Sequence, residues 1–181
     1  MKILCITPIK HLDGVYEFLS SFGSVDYHPK LEKQSVRGLI ASFDYDVIFC
    51  NPNKQSYVLD EYVLSKFNGT ILTASTGLNH IDLDYCSKKN IKVLSHKGDM
   101  ELINQLPSTA ELTFGLMLSI LRNIPHSFDD VKNGGWDYDK FMGHQLQGKS
   151  VGIIGYGRLG KMMESYCRVF GMHTYLYVIK L

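Results

Sequence analysis

The most informative pattern in the 181-residue sequence is a run of closely spaced glycines. The run follows the apolar segment 151–154, opens a helical pattern, and reads Gly155-Tyr156-Gly157-Arg158-Leu159-Gly160. Gly155 would permit a tight strand-to-helix turn, Gly157 would let the backbone approach a pyrophosphate, and Gly160 would let the helix pack close to the strand. Unpaired N–H groups at the helix start, including those of Arg158 and Leu159, could then donate to phosphate oxygens. The pattern predicts a dinucleotide site, and a glycine turn without a ligand is the alternative.

A dinucleotide site of this kind also needs an acidic residue, about 20 residues further on, at the end of the next strand. That residue holds the adenosine ribose. Here the strand is predicted at residues 173–178, and no Asp or Glu follows Glu164. Either the ribose is held in another way, or the residues from about 178 onward are not the natural continuation. The sequence therefore predicts NAD as the cofactor and leaves NADP open.

Short apolar runs alternate with helical patterns along the chain that must position these glycines. In residues 1–98 the runs are continuous, which indicates strands buried on both faces of a parallel sheet. Five strands are predicted, at residues 2–7, 24–28, 46–50, 70–74 and 91–94. Helices are predicted at residues 12–22, 57–66 and, with Asp82 as the N-cap, up to Lys88. We expect residues 1–98 to form an α/β domain, a flavodoxin-like doubly wound parallel sheet on the substrate side.

Residues 99–181 begin with helices instead of strands. Ser108 and Glu111 have the spacing of a capping box, which predicts a helix from there to about Arg122, ended by Pro125. The later elements are predicted as a helix at 126–133, a strand at 150–154, a helix at 158–170 and a strand at 173–178. We expect this region to be the first part of a Rossmann dinucleotide-binding domain together with linking and dimerisation helices.

The composition argues against several other classes of protein. The formal net charge is +1, from 19 basic and 18 acidic residues, so nothing indicates a nucleic-acid partner. The four cysteines lack metal-ligand spacing, and three lie in apolar runs, which is typical of free buried thiols in a reducing compartment. No apolar run approaches the length of a membrane span. We expect a soluble cytoplasmic protein without a metal site or membrane contact.

Three stretches together resemble the D-isomer-specific 2-hydroxyacid dehydrogenases, and most nearly their phosphoglycerate-dehydrogenase-like members. The first is Gly77-Leu78-Asn79-His80-Ile81-Asp82, a turn after the fourth strand. The second is Ser108-Thr109-Ala110-Glu111 with Leu121-Arg122 on the long helix. The third runs from Leu146 through the glycine loop to Met172, and Gly135-Trp136 fits the same pattern. The resemblance covers residues 70 to 177, with the motifs in the family's order and spacing.

This resemblance implies hydride transfer between a nicotinamide cofactor and a small 2-hydroxy or 2-oxo acid. It also implies that backbone N–H groups of the turn after the fourth strand bind the substrate carboxylate. Those groups belong to Gly77 and Leu78, with Thr76 beside them. Consecutive backbone donors suit an anion. The alternative is a simple turn that starts the helix at Asp82.

The family's catalytic arginine and acid-paired histidine lie beyond the second Rossmann strand, so the resemblance assigns no catalytic residue in this sequence. Ordinary core or surface histidines are expected at His80, His96, His126, His144 and His173. We expect a truncated chain that is inactive alone and that forms a homodimer or aggregates. Two alternatives stay open: a non-catalytic truncated product that interacts with a full-length relative, and a regulatory α/β protein that binds a small ligand.

Overall fold

The chain folds as two units, an N-terminal unit (Met1–Met100) and a C-terminal unit (Glu101–Leu181). The computed structural model describes residues 1–52 and 57–178. The last three residues of the predicted domain 99–181 therefore lie outside the described part. We keep the predicted domain boundary after residue 98 as a proposal.

The N-terminal unit is built on five parallel strands in the order β2-β1-β3-β4-β5. The strands are β1 (Lys2–Cys5), β2 (Ser24–Tyr27), β3 (Val47–Cys50), β4 (Thr70–Thr73) and β5 (Lys92–Leu94). This order is the flavodoxin-like form of the doubly wound sheet. The predicted α/β fold class is thereby confirmed.

Within the described residues, four α-helices accompany this sheet: α1 (Val15–Ser20), α2 (Lys33–Ser42), α3 (Glu61–Leu64) and α4 (Leu83–Lys88). One continuous core joins strand residues such as Leu4, Ile48 and Ile71 to Val36 of α2 and Leu64 of α3. All five of these side chains are fully buried. The core therefore holds the carboxyl ends of the strands in place, and the loops that follow the strands start from a rigid base.

The helices of this unit differ from the predicted ones. Helix α2 was not predicted, although Val36 and Ile40 bury one face at helical spacing. The predicted helix 57–66 is wrong at its start, because Leu59 forms a parallel bridge with Ile81 and must be extended. The helix begins only after Asp60, whose carboxylate accepts a hydrogen bond from the Val63 N–H (3.3 Å). The predicted helix 12–22 shortens to α1 because Gly14 precedes it in the left-handed region (φ 75°).

The C-terminal unit contains helices first and then a strand–helix–strand segment. Its helices are α5 (Met100–Asn104), α6 (Ser108–Leu121), α7 (Ile124–Lys132), a short 3₁₀ helix (Tyr138–Phe141) and α8 (Arg158–Val169). Its strands are β6 (Ser150–Ile154) and β7 (His173–Tyr177), paired in parallel. A small core forms where α6 packs on α8, around Phe114 and Cys167.

The capping box predicted at the start of α6 is wrong. Pro107 occupies the cap position with helical dihedral angles (φ −83°, ψ −11°), and Ser108 is already the first residue of the helix. The Glu111 N–H donates to the Pro107 carbonyl at 3.0 Å. A capping residue must have an extended backbone, so Ser108 cannot fill that role. The next helix also differs from the prediction: Pro125 lies in the first turn of α7, after a left-handed Asn123.

The four cysteines, Cys5, Cys50, Cys86 and Cys167, are free and buried. Burial raises the pKa of the Cys50 thiol to about 12. These thiols therefore stay protonated and act as small apolar side chains. Among the described residues, no helix combines the length and apolar character needed to cross a membrane.

Candidate functional site

The glycine loop lies between the end of β6 and the start of α8. Gly155 has a φ of 92°, in the left-handed region that favours glycine, so the chain turns sharply there. The Gly155 N–H donates to the Tyr177 carbonyl at 3.0 Å, which continues the β6–β7 pairing into the turn. The start of α8 is thus held against the carboxyl end of the two-stranded sheet.

Gly160 and Gly157 are glycines for opposite reasons. Gly160 is buried, and a Cβ atom there would collide with the Gly155 carbonyl oxygen and lie 3.4 Å from Cγ2 of Ile153. The helix can therefore approach the strand only without a side chain at this position. At Gly157 a Cβ atom would meet no protein atom within 4 Å, so that position faces open space. The open space at Gly157 leaves room for a ligand group in direct contact with the backbone.

The first turn of α8 offers free hydrogen-bond donors. Gly157 is the N-cap residue and provides no side-chain cap. Within the described residues, the N–H groups of Arg158 and Leu159 have no acceptor in the protein. The 12-residue helix directs its positive dipole end to the same place. An anionic group such as a pyrophosphate would satisfy these donors.

A cluster of polar side chains that was not predicted from the sequence stabilises the loop from the side. The Tyr156 hydroxyl donates to Oε2 of Glu164, and Oε1 of the same carboxylate forms an ion pair with Arg168 (2.7 Å). The hydrogen bond from Tyr156 and the contact with Arg168 lower the pKa of Glu164, and the same hydrogen bond raises the pKa of Tyr156. Only the i,i+4 spacing of Glu164 and Arg168 was visible in advance. The Glu164 carboxylate therefore serves to hold Tyr156.

The Arg158 side chain points back into the C-terminal unit. Its Nη1 donates to the Leu106 carbonyl at 2.7 Å, just before α6. The side chain is thus held by the protein, while its backbone N–H stays free for a ligand. Of the predicted cofactor residues, Gly155 and Gly160 shape the turn, and Gly157, Arg158 and Leu159 present the open backbone.

The second predicted site is the turn after β4 in the N-terminal unit. Thr76 and Gly77 are exposed, and Leu78 is half-buried. Within the described part of the chain, the N–H groups of these three residues donate to no acceptor in the protein. The turn also starts a helix, since the Asp82 carboxylate accepts from the Tyr85 N–H at 2.9 Å. Both readings of this turn, anion site and helix start, are therefore compatible with its geometry.

The histidines differ in burial. His80 is buried beneath the turn, and its Nε2 lies 3.0 Å from Oγ1 of Thr73. The side chain of His96 is partly buried, whereas His126, His144 and His173 are exposed. In residues 1–52 and 57–178, no histidine forms an ion pair with a carboxylate. We therefore assign no proton-transferring residue.

A parallel βαβ segment with a glycine loop and free helix N–H groups defines a dinucleotide-binding fold. Residues 114–180 match the family model described as "D-isomer specific 2-hydroxyacid dehydrogenase, NAD binding domain". Among curated proteins, the chain is 32% identical over 173 residues to D-3-phosphoglycerate dehydrogenase of Methanocaldococcus jannaschii. The match covers 96% of this chain and 31% of that protein, so the chain spans about a third of this relative's length.

Solved structures show the same relationship. A glyoxylate reductase from Paecilomyes thermophila superimposes with a TM-score of 0.78 and 25% identity, covering 100% of this chain and 56% of that one. D-lactate dehydrogenase of Aquifex aeolicus, in complex with NAD and lactic acid, gives a TM-score of 0.74 and 25% identity over 100% and 52%. The chain belongs to the D-isomer-specific 2-hydroxyacid dehydrogenase family. NAD is the cofactor of the domain that residues 114–180 match.

Proposed function

We propose that this chain provides the NAD-binding loop and the substrate-carboxylate turn of an oxidoreductase. The reaction would be hydride transfer between nicotinamide and a 2-hydroxy or 2-oxo acid. The observation that carries the proposal is the geometry of the glycine loop: a sharp turn at Gly155, close packing at Gly160 and open backbone at Gly157. A glycine turn without a ligand would need the sharp turn and the close packing, but it would not need the open backbone at Gly157.

Each part of the proposed NAD site has a physical task. The pyrophosphate would occupy the space beside Gly157 and accept hydrogen bonds from the N–H groups of Arg158 and Leu159. Tyr156, held by Glu164, would keep the loop in its observed shape before the ligand arrives. NAD supplies the hydride-accepting ring when it is bound, and the residues described here bind and orient it.

The proposed substrate site uses backbone donors alone. The relatives reported above are named for acids that share a carboxylate next to an oxidised or reduced carbon, as in lactic acid. A carboxylate is an anion that three successive N–H groups can bind, and the turn at Thr76, Gly77 and Leu78 offers them unpaired. We therefore propose that this turn binds the carboxylate, while the rest of the acid remains unspecified.

Titration with NADH, followed by its fluorescence, tests the cofactor site. Gly157→Val should abolish binding, because the branched side chain would fill the space beside the loop. Gly152→Val is the matched control: it lies on β6, outside the loop, and its added Cβ also meets no protein atom within 4 Å. Equal NADH affinity in wild type and Gly157→Val would refute the assignment.

We also propose that the chain self-associates as a homodimer through α6 and α7. Leu112, Leu116 and Ile120 lie four residues apart on α6 and are exposed, as is Phe128 on α7. Such a row forms one apolar stripe along a helix. Apolar patches of this kind on a globular protein commonly mark an interaction surface. A second copy of the chain would cover the stripe with its own, since twofold contacts pair identical surfaces.

A further inference from the structure

Among the described residues, the buried imidazole of His80, beneath the proposed carboxylate turn, is the one side chain that has a buried polar atom without a hydrogen-bond partner. It is 5% exposed, and its Nε2 lies 3.0 Å from Oγ1 of Thr73. Among the described residues, its Nδ1 is buried without any hydrogen-bond partner. Buried polar atoms are almost always paired, so this exception calls for an explanation.

The hydrogen-bond directions around His80 follow from counting hydrogens. Oγ of Ser75 donates its single hydrogen to the Gly77 carbonyl at 2.8 Å. In the 2.9 Å contact between Ser75 and Thr73, Thr73 must therefore be the donor. Because the hydrogen of Thr73 is then used, its oxygen can only accept from the imidazole. The Nε2 atom of His80 thus carries the hydrogen, and Nδ1 carries a bare lone pair.

The hydrogen bonds therefore all run in one direction: His80 donates to Thr73, Thr73 donates to Ser75, and Ser75 donates to the Gly77 carbonyl. Burial lowers the pKa of His80, which keeps the imidazole neutral and preserves the direction of the chain. Linked hydrogen bonds polarise one another, so the exposed last bond, to Gly77, is strengthened by the more buried bonds before it. With the hydrogen on Nε2, Nδ1 is an acceptor, and no donor among the described residues reaches it.

The end of the chain determines where a neighbouring N–H group points. The Gly77 carbonyl and the Leu78 N–H belong to one planar trans peptide and point in opposite directions. Since Ser75 holds the carbonyl, the Leu78 N–H is directed away from Ser75 and has no acceptor within the described protein. Orientation of this donor is what a carboxylate site at the turn requires.

We propose that His80 is a positioning residue that orients the Leu78 N–H toward the substrate carboxylate, acting through Thr73 and Ser75. This inference rests on the proposed function for the carboxylate. The part that concerns hydrogen-bond direction and peptide orientation stands independently of it. His80 itself does not touch the substrate.

The first measurement needs no substitution. In ¹⁵N-labelled full-length chain, ¹⁵N–¹H correlation spectra of the imidazole should show His80 neutral and protonated at Nε2 near pH 7. A hydrogen on Nδ1 would overturn the proposal, because Thr73 could not then donate to Ser75.

The second measurement uses glyoxylate as a carboxylate probe, titrated while the Leu78 amide resonance is followed. Ser75→Ala and Thr73→Val should each weaken binding about 3- to 10-fold and shift this amide. His80→Gln, whose side-chain amide can still donate to Thr73, should restore most of the affinity that His80→Phe loses. Ser87→Ala, an exposed serine on α4, is the control and should match wild type.

The two proposals can fail separately. If wild type binds no glyoxylate, the carboxylate site is wrong. The series of hydrogen bonds from His80 to the Gly77 carbonyl is then tested by the Leu78 amide shift in Ser75→Ala and Thr73→Val. If glyoxylate binds but both variants keep the wild-type affinity and Leu78 shift, the positioning role of His80 is wrong. Loss of binding in His80→Gln equal to that in His80→Phe would also contradict it, since a mere packing role needs no donor.

Discussion

The two units of this chain differ in how much buried core supports their candidate sites. In the N-terminal unit, one buried cluster joins four strands (β1, β3, β4 and β5) to three helices (α2, α3 and α4). The candidate carboxylate turn follows β4, the neighbour of the edge strand β5. In the C-terminal unit, a two-stranded sheet leaves Ile154 79% exposed and Tyr175 66% exposed. The glycine loop nevertheless has its full geometry there. The shape of the glycine loop is thus specified by one βαβ segment, whereas the turn with its buried histidine depends on a complete core.

This difference has a physical origin. The glycine loop is formed by residues within a few positions of one another, joined to β7 by the hydrogen bond from Gly155 to Tyr177. The candidate carboxylate turn is held by hydrogen bonds among Thr73, Ser75 and His80, and the imidazole is desolvated because the surrounding residues exclude water. Damage to the core should therefore affect the turn much more than comparable changes in the C-terminal unit affect the loop.

The largest expected effect comes from truncating a core side chain of the N-terminal unit. Leu64→Ala should destabilise this unit by about 3 kcal/mol, because the fully buried leucine would leave a cavity. Val169→Ala in the C-terminal unit, where the side chain is 81% exposed, should change stability by less than about 0.5 kcal/mol. Hydrogen exchange read by mass spectrometry resolves the two units. If both variants lose similar amounts of amide protection, the proposed difference between the two units is wrong.

A smaller effect is expected from the close contact inside the glycine loop. Gly160→Ala should destabilise the C-terminal unit by about 2 kcal/mol and weaken NADH binding, because the new methyl group collides with the Gly155 carbonyl. Gly115→Ala is the matched helical control, since its Cβ would meet nothing within 4 Å. That control should be neutral or stabilising by up to about 1 kcal/mol. If the two variants behave alike, the loop is less tightly packed than its geometry indicates.

The exposed stripe on α6 offers a test of association. Leu116→Glu and Ile120→Glu should each shift the chain from dimer to monomer in light scattering, because a charge would be buried at the proposed interface. Leu12→Glu, at an exposed leucine of the N-terminal unit, should leave the dimer intact. A wild-type chain that is already monomeric at tens of micromolar would refute the dimer.

The smallest effect is a dependence of stability on pH that is confined to the N-terminal unit. Burial lowers the folded-state pKa of His80 below its ordinary value near 6.5, so the unfolded chain binds the proton more readily. The contribution of the neutral imidazole is complete above pH 6.5 and is lost as the pH falls below that value. Exchange protection of β1 and β3 should decrease on acidification in wild type. His80→Gln should flatten this dependence, and an unchanged slope would show that other groups cause it.

The sequence predicted the parts of this protein that depend on local spacing. The strand 150–154 and the glycine loop were correctly located, as was the Asp82 cap of α4, because each follows from residue types a few positions apart. The fold class followed from continuous apolar runs, which only a covered parallel sheet can bury. The family followed from motifs in their expected order.

Only the tertiary structure decided the rest. Helix α2 was not predicted because its amphipathic pattern is short. Ser108 is not the N-cap of α6 because Pro107, the residue before it, already has helical dihedral angles. The contacts that shape the sites join elements through their packing, such as Tyr156 with Glu164 and His80 with Thr73. Such contacts depend on how helices and turns pack against strands to within a fraction of an ångström. Spacing along the chain specifies which residues can meet, whereas packing determines which hydrogen bonds form.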